Sequence, residues 1–149
     1  MIFAPFMGRA VGHFGERNAL IFEYIGLIAV FLAYGGIYVF GWGVVLAAAL
    51  YVLDHLFFAL AIASKTYFQK IANPGDIAPT AAVAFTINHI SAVFLPALLG
   101  YLWITAPEAV FGMAAGMAGV SLVLAMLIPR HPEPGNETIF SPRVATAAE

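Results

Sequence analysis

Apolar positions along the chain gather into four long runs, over 18–40, 43–64, 81–105 and 109–128, separated by short polar or Pro/Gly-containing breaks. Each run is close to the ~20 residues that a ~30 Å hydrocarbon core demands at ~1.5 Å rise per residue. None alternates apolar with polar positions in the manner of a ~10-residue spanning strand, so the pattern predicts helices rather than a barrel. The expected fold is all-α, a polytopic membrane protein with four transmembrane helices over residues 18–128. Residues 1–7 are apolar but too short to span, and no basic segment precedes them as in a signal peptide. They read as the end of a preceding helix, joined by a loop reaching residue 17. Beyond Ile128, Pro129, Pro132, Pro134 and Pro142 interrupt a stretch of mixed charge, and residues 129–149 read as a disordered tail.

The punctuation agrees with these boundaries. Asn73-Pro74-Gly75-Asp76 reads as a turn cluster in the one sizeable internal loop, and Pro79 suits the first turn of the third helix. Within that helix, Pro96 removes a backbone hydrogen bond, and Gly100 one turn later lets the chain bend, so the two form a candidate hinge. Gly112 and Gly116, with Gly119 beyond, make a small-residue stripe suited to close helix packing, and Gly35-Gly36 reads the same way.

Composition changes the picture by exclusion. Of 149 residues, 62% are hydrophobic and 9% charged, against a charged fraction of roughly 25% in soluble domains. Six Lys+Arg and eight Asp+Glu do not coat a water-facing surface, so the lipid bilayer is the expected partner. A net charge of −2 argues against nucleic acid, and the absence of cysteine removes disulfides, thiolate metal sites and a Cys nucleophile. Arg9, Arg17, Lys65, Lys70, Arg130 and Arg143 all fall on one side of the four-span arrangement, and the 40–42 and 106–108 connections on the other side carry no Lys or Arg. The positive-inside rule then places both termini in the cytoplasm. Trp42 and Trp103 lie at the opposite interface, where indoles are favoured.

Candidate chemistry rests on the few polar residues inside the runs. Asp54 and His55 sit near the middle of the second span, and Thr86, Asn88, His89 and Ser91 lie in the third. The first and fourth spans are almost wholly apolar apart from Glu23 and Ser121. Because intramembrane ionisable groups normally face protein or an aqueous cavity, the second and third spans are expected inside and the first and fourth outside. Asp54 is ten residues before Ser64 and His89 eight after Ala81, a depth difference of ~3 Å that lets them pair around one proton. Asp54, His55, Thr86, Asn88 and His89 therefore form the candidate substrate and proton pathway. Alternatives are a membrane haem protein ligated by His55 and His89, and a free-standing four-helix protein that self-associates through the glycine stripe. No Gly-x-Ser-x-Gly or His-Glu-x-x-His motif occurs, so neither an enzyme nor a resident cofactor is expected.

Residues 8–17, Gly-Arg-Ala-Val-Gly-His-Phe-Gly-Glu-Arg, resemble the cytoplasmic loop signature of the major facilitator superfamily, G-x-x-x-D-[RK]-x-G-[RK]-[RK]. Gly8, Gly15 and Arg17 match, whereas Gly12, His13 and Glu16 occupy the acidic position and two basic ones. In that family the signature follows the second helix of each six-helix half, with the degenerate copy in the second half. The resemblance implies that the four spans are the ninth to twelfth helices of a twelve-helix secondary carrier of a small solute, with residues 1–7 ending the eighth. It also implies that the missing N-terminal helices are partners, and that the tenth and eleventh helices border the central cavity. The stretch from Thr66 to Ile90 is similar to bacterial members of the family, which implies the bacterial inner membrane.

Overall fold

A computed structural model describes residues 11–141, and among them the architecture is all-helical. Helix α1 spans Glu16–Phe40, α2 Val44–Phe58, α3 Ile62–Ile71, α4 Pro74–Thr105 and α5 Pro107–Met126. A single 3-10 turn, Ala59–Ala61, joins α2 to α3, so Val44–Ile71 is one continuous span. Among the described residues, four helices are thus long and apolar enough to cross a membrane, compatible with an integral membrane protein. The expected helix end over residues 1–7, with Gly8 and Arg9, lies outside the described residues, as do residues 142–149.

The helices outrun the apolar segments. The second span continues to Ile71 rather than 64, and α4 begins at Pro74 rather than 81, which shrinks the expected loop to Ala72 and Asn73. At ~1.5 Å per residue the 28-residue and 32-residue spans exceed a ~30 Å hydrocarbon core, so their polar ends extend as helix beyond it. Asn73-Pro74-Gly75-Asp76 is therefore a helix start: Asn73 occupies the N-cap, Pro74 the first helical position and Asp76 the first turn, where a carboxylate meets the positive end of the helix dipole. Pro79, expected in the first turn, lies inside α4 instead. At the other end of the molecule, α1 closes on Gly41 at φ +68°, whose N–H reaches the Ile37 carbonyl at 3.0 Å; this left-handed cap favours glycine.

The core lies between the first and last helices. Along α1, Glu16, Ala19, Leu20, Glu23 and Val30 recur at helical spacing and are buried, and on α5 the buried residues are Ala115, Ala118 and Ala125. Val11, Ala63 and Ile128 complete the cluster, with Tyr24, Leu60 and Tyr67 packed on it. The expectation that Gly112, Gly116 and Gly119 mediate close packing is corrected. Among the described residues a Cβ placed on any of them meets nothing within 4 Å, and the alanine face of α5 makes the contact instead. Gly36 does mark a close approach, since its Cβ would lie 2.7 Å from the Trp42 ring. Gly26 likewise lies under the Phe57 ring, which also meets Phe22 edge-on at 5.5 Å and so seats the second span on α1.

Helix α4 stands apart, with no buried residue along its length. Its anchorage is aromatic: Trp103 packs edge-on against Tyr38 of α1 at 5.5 Å and Phe111 of α5 at 5.6 Å. Tyr34 stacks on the same Phe111 at 5.1 Å. This aromatic end is opposite the basic end, where Arg17, Lys70 and Arg130 converge around one cavity.

Residues 129–141, expected to be disordered, fold back under the basic end. Ile139 donates its N–H to Leu127 O at 2.9 Å, and the Tyr67 hydroxyl donates to Glu137 O at 2.6 Å. The Glu137 carboxylate accepts from the Gly135 N–H at 2.6 Å and the Ser141 hydroxyl at 3.0 Å. Those hydrogen bonds hold the Glu137 carboxyl below its ordinary value, the Gly135 amide contributing most. The segment has little apolar content, and it is hydrogen bonds to Tyr67 of α3 and to Leu127, just past the end of α5, that hold residues 129–141 in place.

Candidate functional site

The polar residues of the second and third spans lie on exposed or half-exposed surface. Asp54 and His55 are consecutive on α2, with side chains 29% and 59% exposed, and the carboxylate lies 3.7 Å from His55 Nδ1. That separation is an ion-pair contact, too long for a hydrogen bond. His55 Nδ1 instead lies 3.0 Å from Tyr51 O. A carbonyl only accepts, so Nδ1 carries the proton in the neutral ring and Nε2 is left as an acceptor. The imidazole also rests on the Tyr51 ring, centroids 4.2 Å apart.

On α4 the same local chemistry repeats. The Thr86 hydroxyl donates to Ala82 O at 3.0 Å, and His89 Nδ1 lies 2.9 Å from Phe85 O with its ring against Phe85 at 3.9 Å. Asn88 is exposed and Ser91 half-buried. Each of these helix-bound partners is four residues back in sequence, the spacing at which a short polar side chain meets a backbone carbonyl of its own helix.

The Asp54–His89 pair that depth matching allows is not formed. Asp54 has His55 as its ion-pair neighbour among the described residues, and His89 Nδ1 is engaged on its own helix. Equal depth sets height along a helix and leaves rotation about its axis free, and here the second and third spans are held to α1 and α5 rather than to each other. Two sets result: Asp54 with His55, and Thr86 with Asn88 and His89. Farther along α4, Pro96 deprives Ala92 O of its helical N–H, and Gly100 has open space beside it.

The loop residues have clear structural duties. Gly15 is the N-cap of α1 at φ +80°, a conformation that favours glycine. Arg17 donates from Nη2 to Met126 O at 3.2 Å, tying the start of α1 to the end of α5. Between them Glu16, at a position basic in the resembled signature, is 4% exposed and accepts a 2.7 Å ion pair from Lys70.

Glu16 and Glu23, noted in the sequence only as a signature departure and as a lone polar residue of the first span, are the buried ionisable residues among those described. Glu23 is 3% exposed, and its Oε2 has no hydrogen-bond partner among the described residues. A signal was present, because Glu16, Leu20 and Glu23 share one stripe of α1 at i, i+4, i+7 with Val30 beyond. Comparison with family models, curated proteins and solved structures finds no match to this chain.

Proposed function

We propose that the chain is the C-terminal portion of a membrane transporter, a proton-coupled secondary carrier of a small solute in the bacterial inner membrane with both termini cytoplasmic. The observation that carries this reading is the location of Asp54, His55, Thr86, Asn88 and His89 on uncovered faces of two apolar spans. Polar groups at membrane depth are costly against lipid, and a solute pathway or neighbouring helices of a larger carrier relieve that cost. The partial match of residues 8–17 to the superfamily signature supports the same reading, as does the one-sided distribution of Lys and Arg.

In this reading Asp54 and His55 form the proton site and α4 supplies the polar wall. One proton taken up by the Asp54–His55 pair cancels its net charge, which changes the cost of holding it away from water and biases the two access states. Asp54→Asn in the intact carrier is expected to abolish proton-driven accumulation while leaving exchange or downhill flux. His89→Ala is expected to shift the pH dependence of transport. Unchanged accumulation against a gradient in Asp54→Asn vesicles overturns the coupling role. Reporters after Glu149 and at Gly75 should both signal cytoplasm, and a periplasmic signal at either breaks the topology.

A second reading, a free-standing four-helix protein acting by self-association, draws on the open space beside Gly112, Gly116 and Gly119. The reading frame upstream of Met1 separates the two: further spans favour the carrier, an immediate stop codon the self-associating protein.

A further inference from the structure

The basic end holds a cavity of about 490 Å³ around the start of α1, and its lining includes His13, Arg17, Lys70, Arg130 and His131. Glu16 is the acidic residue in that lining, and it is already paired with Lys70 at 2.7 Å. With Lys70 and Glu16 cancelling each other, Arg17 and Arg130 remain in the lining as two further permanent cations. Within this surround, Arg17 Nε is buried with no hydrogen-bond partner among the described residues. The N-cap of α1 is Gly15, which has no side chain to satisfy the first-turn N–H groups. The buried Arg17 Nε donor, the positive helix end and the fixed cations all call for an anion bearing several oxygens.

A second, apolar groove of about 560 Å³ adjoins it between α1 and the second span. Phe14 and Asn18 line both, and beyond them the groove is walled by Phe22, Leu56, Phe57 and Leu60. A basic chamber opening into a hydrocarbon-lined furrow matches an amphiphile and leaves half of the surface unused by a free anion. We propose that this composite surface binds one anionic phospholipid, its phosphodiester among Arg17, Arg130 and Lys70 and one acyl chain along Phe22, Leu56 and Phe57. The inference rests on the membrane location of the helices and is independent of the transport reading. In a bilayer the groove provides shape but little selectivity, because lipid tails are as apolar as its walls; selection comes from the headgroup contacts.

The test is native mass spectrometry of the purified full chain in mild detergent, titrated separately with phosphatidylglycerol, phosphatidylcholine and inorganic phosphate. Phosphatidylglycerol should be retained about tenfold more strongly than phosphatidylcholine, and Arg130→Gln, at an exposed position, should cut that preference to about twofold. Leu56→Trp, which fills the groove, should weaken retention of the lipid. Equal retention of the two lipids by the unaltered protein overturns the proposal, as does an undiminished preference in Arg130→Gln. Inorganic phosphate binding as tightly as phosphatidylglycerol, with Leu56→Trp silent, would show a free-anion site instead. Loss of lipid binding on formation of a dimer would assign the groove to a second copy, and also overturns it.

Discussion

The first and last helices, α1 and α5, are apolar through their middles, with Glu16 and Glu23 buried near the start of α1, and they close on each other; the second and third spans carry polar residues deeper along their length, and they stay open. In water the reverse would be puzzling only for the apolar pair. In lipid, hydrophobicity does not distinguish one helix face from another, so association follows shape and small side chains. Ala115, Ala118 and Ala125 provide the smooth face that lets α1 approach. Thr86, His55 and His89 each engage a carbonyl of their own helix, which offsets part of their cost at membrane depth and leaves the rest to whatever covers these open faces.

The largest effect expected from a single change lies in the closed pair. Ala118→Phe inserts a ring into the α1–α5 contact and should lower stability by about 3 kcal/mol, whereas Gly116→Phe, two residues earlier and on another face of α5 with open space beside it, should leave thermal unfolding in detergent nearly unchanged. Equal losses at the two positions would break the contrast between packed and open faces. Next is the ion pair that joins the second span to the closed pair. Lys70→Ala leaves the buried Glu16 carboxylate without its cation and should cost about 1–2 kcal/mol, while Lys65→Ala on the exposed side of α3 should stay within about 0.5 kcal/mol.

Smaller effects test how the tail is held. Tyr67→Phe removes the hydroxyl that donates to Glu137 O and should cost about 1 kcal/mol, read as faster hydrogen exchange in residues 129–141 with α1 and α5 unaffected. The mildest is the response to acid. The folded segment holds the Glu137 carboxyl below its ordinary value of 4.5, so the carboxylate's contribution is fully present above that pH and is lost as pH falls through the lower, folded value. Exchange protection of residues 129–141 should therefore be flat near neutrality and decline in acid. Glu137→Gln should remove that pH dependence; a decline that persists in the variant would show that another group holds the segment.

Span number and helical type were legible in the length of the apolar runs, because a bilayer admits few solutions for such segments. Boundaries were less so: the apolar pattern stops where the hydrocarbon stops, but backbone hydrogen bonding carries α3 to Ile71 and starts α4 at Pro74. Asp54, His55, Thr86, Asn88 and His89 were identifiable as polar residues in apolar surroundings, and their depth was readable at fixed rise per residue. Whether Asp54 meets His89 was not, since rotation about each helix axis depends on which neighbour the helix packs against. The same indeterminacy hid the burial of Glu16 and Glu23, the choice of alanines over glycines on α5, and the docking of residues 129–141 through Tyr67 and Leu127. Chain-local energetics, meaning transfer into lipid and backbone satisfaction within a helix, are written residue by residue in the sequence. Helix pairing, ion-pair partners and the cavity between Arg17, Lys70 and Arg130 join residues up to 113 positions apart, and only the packed tertiary structure brings them together.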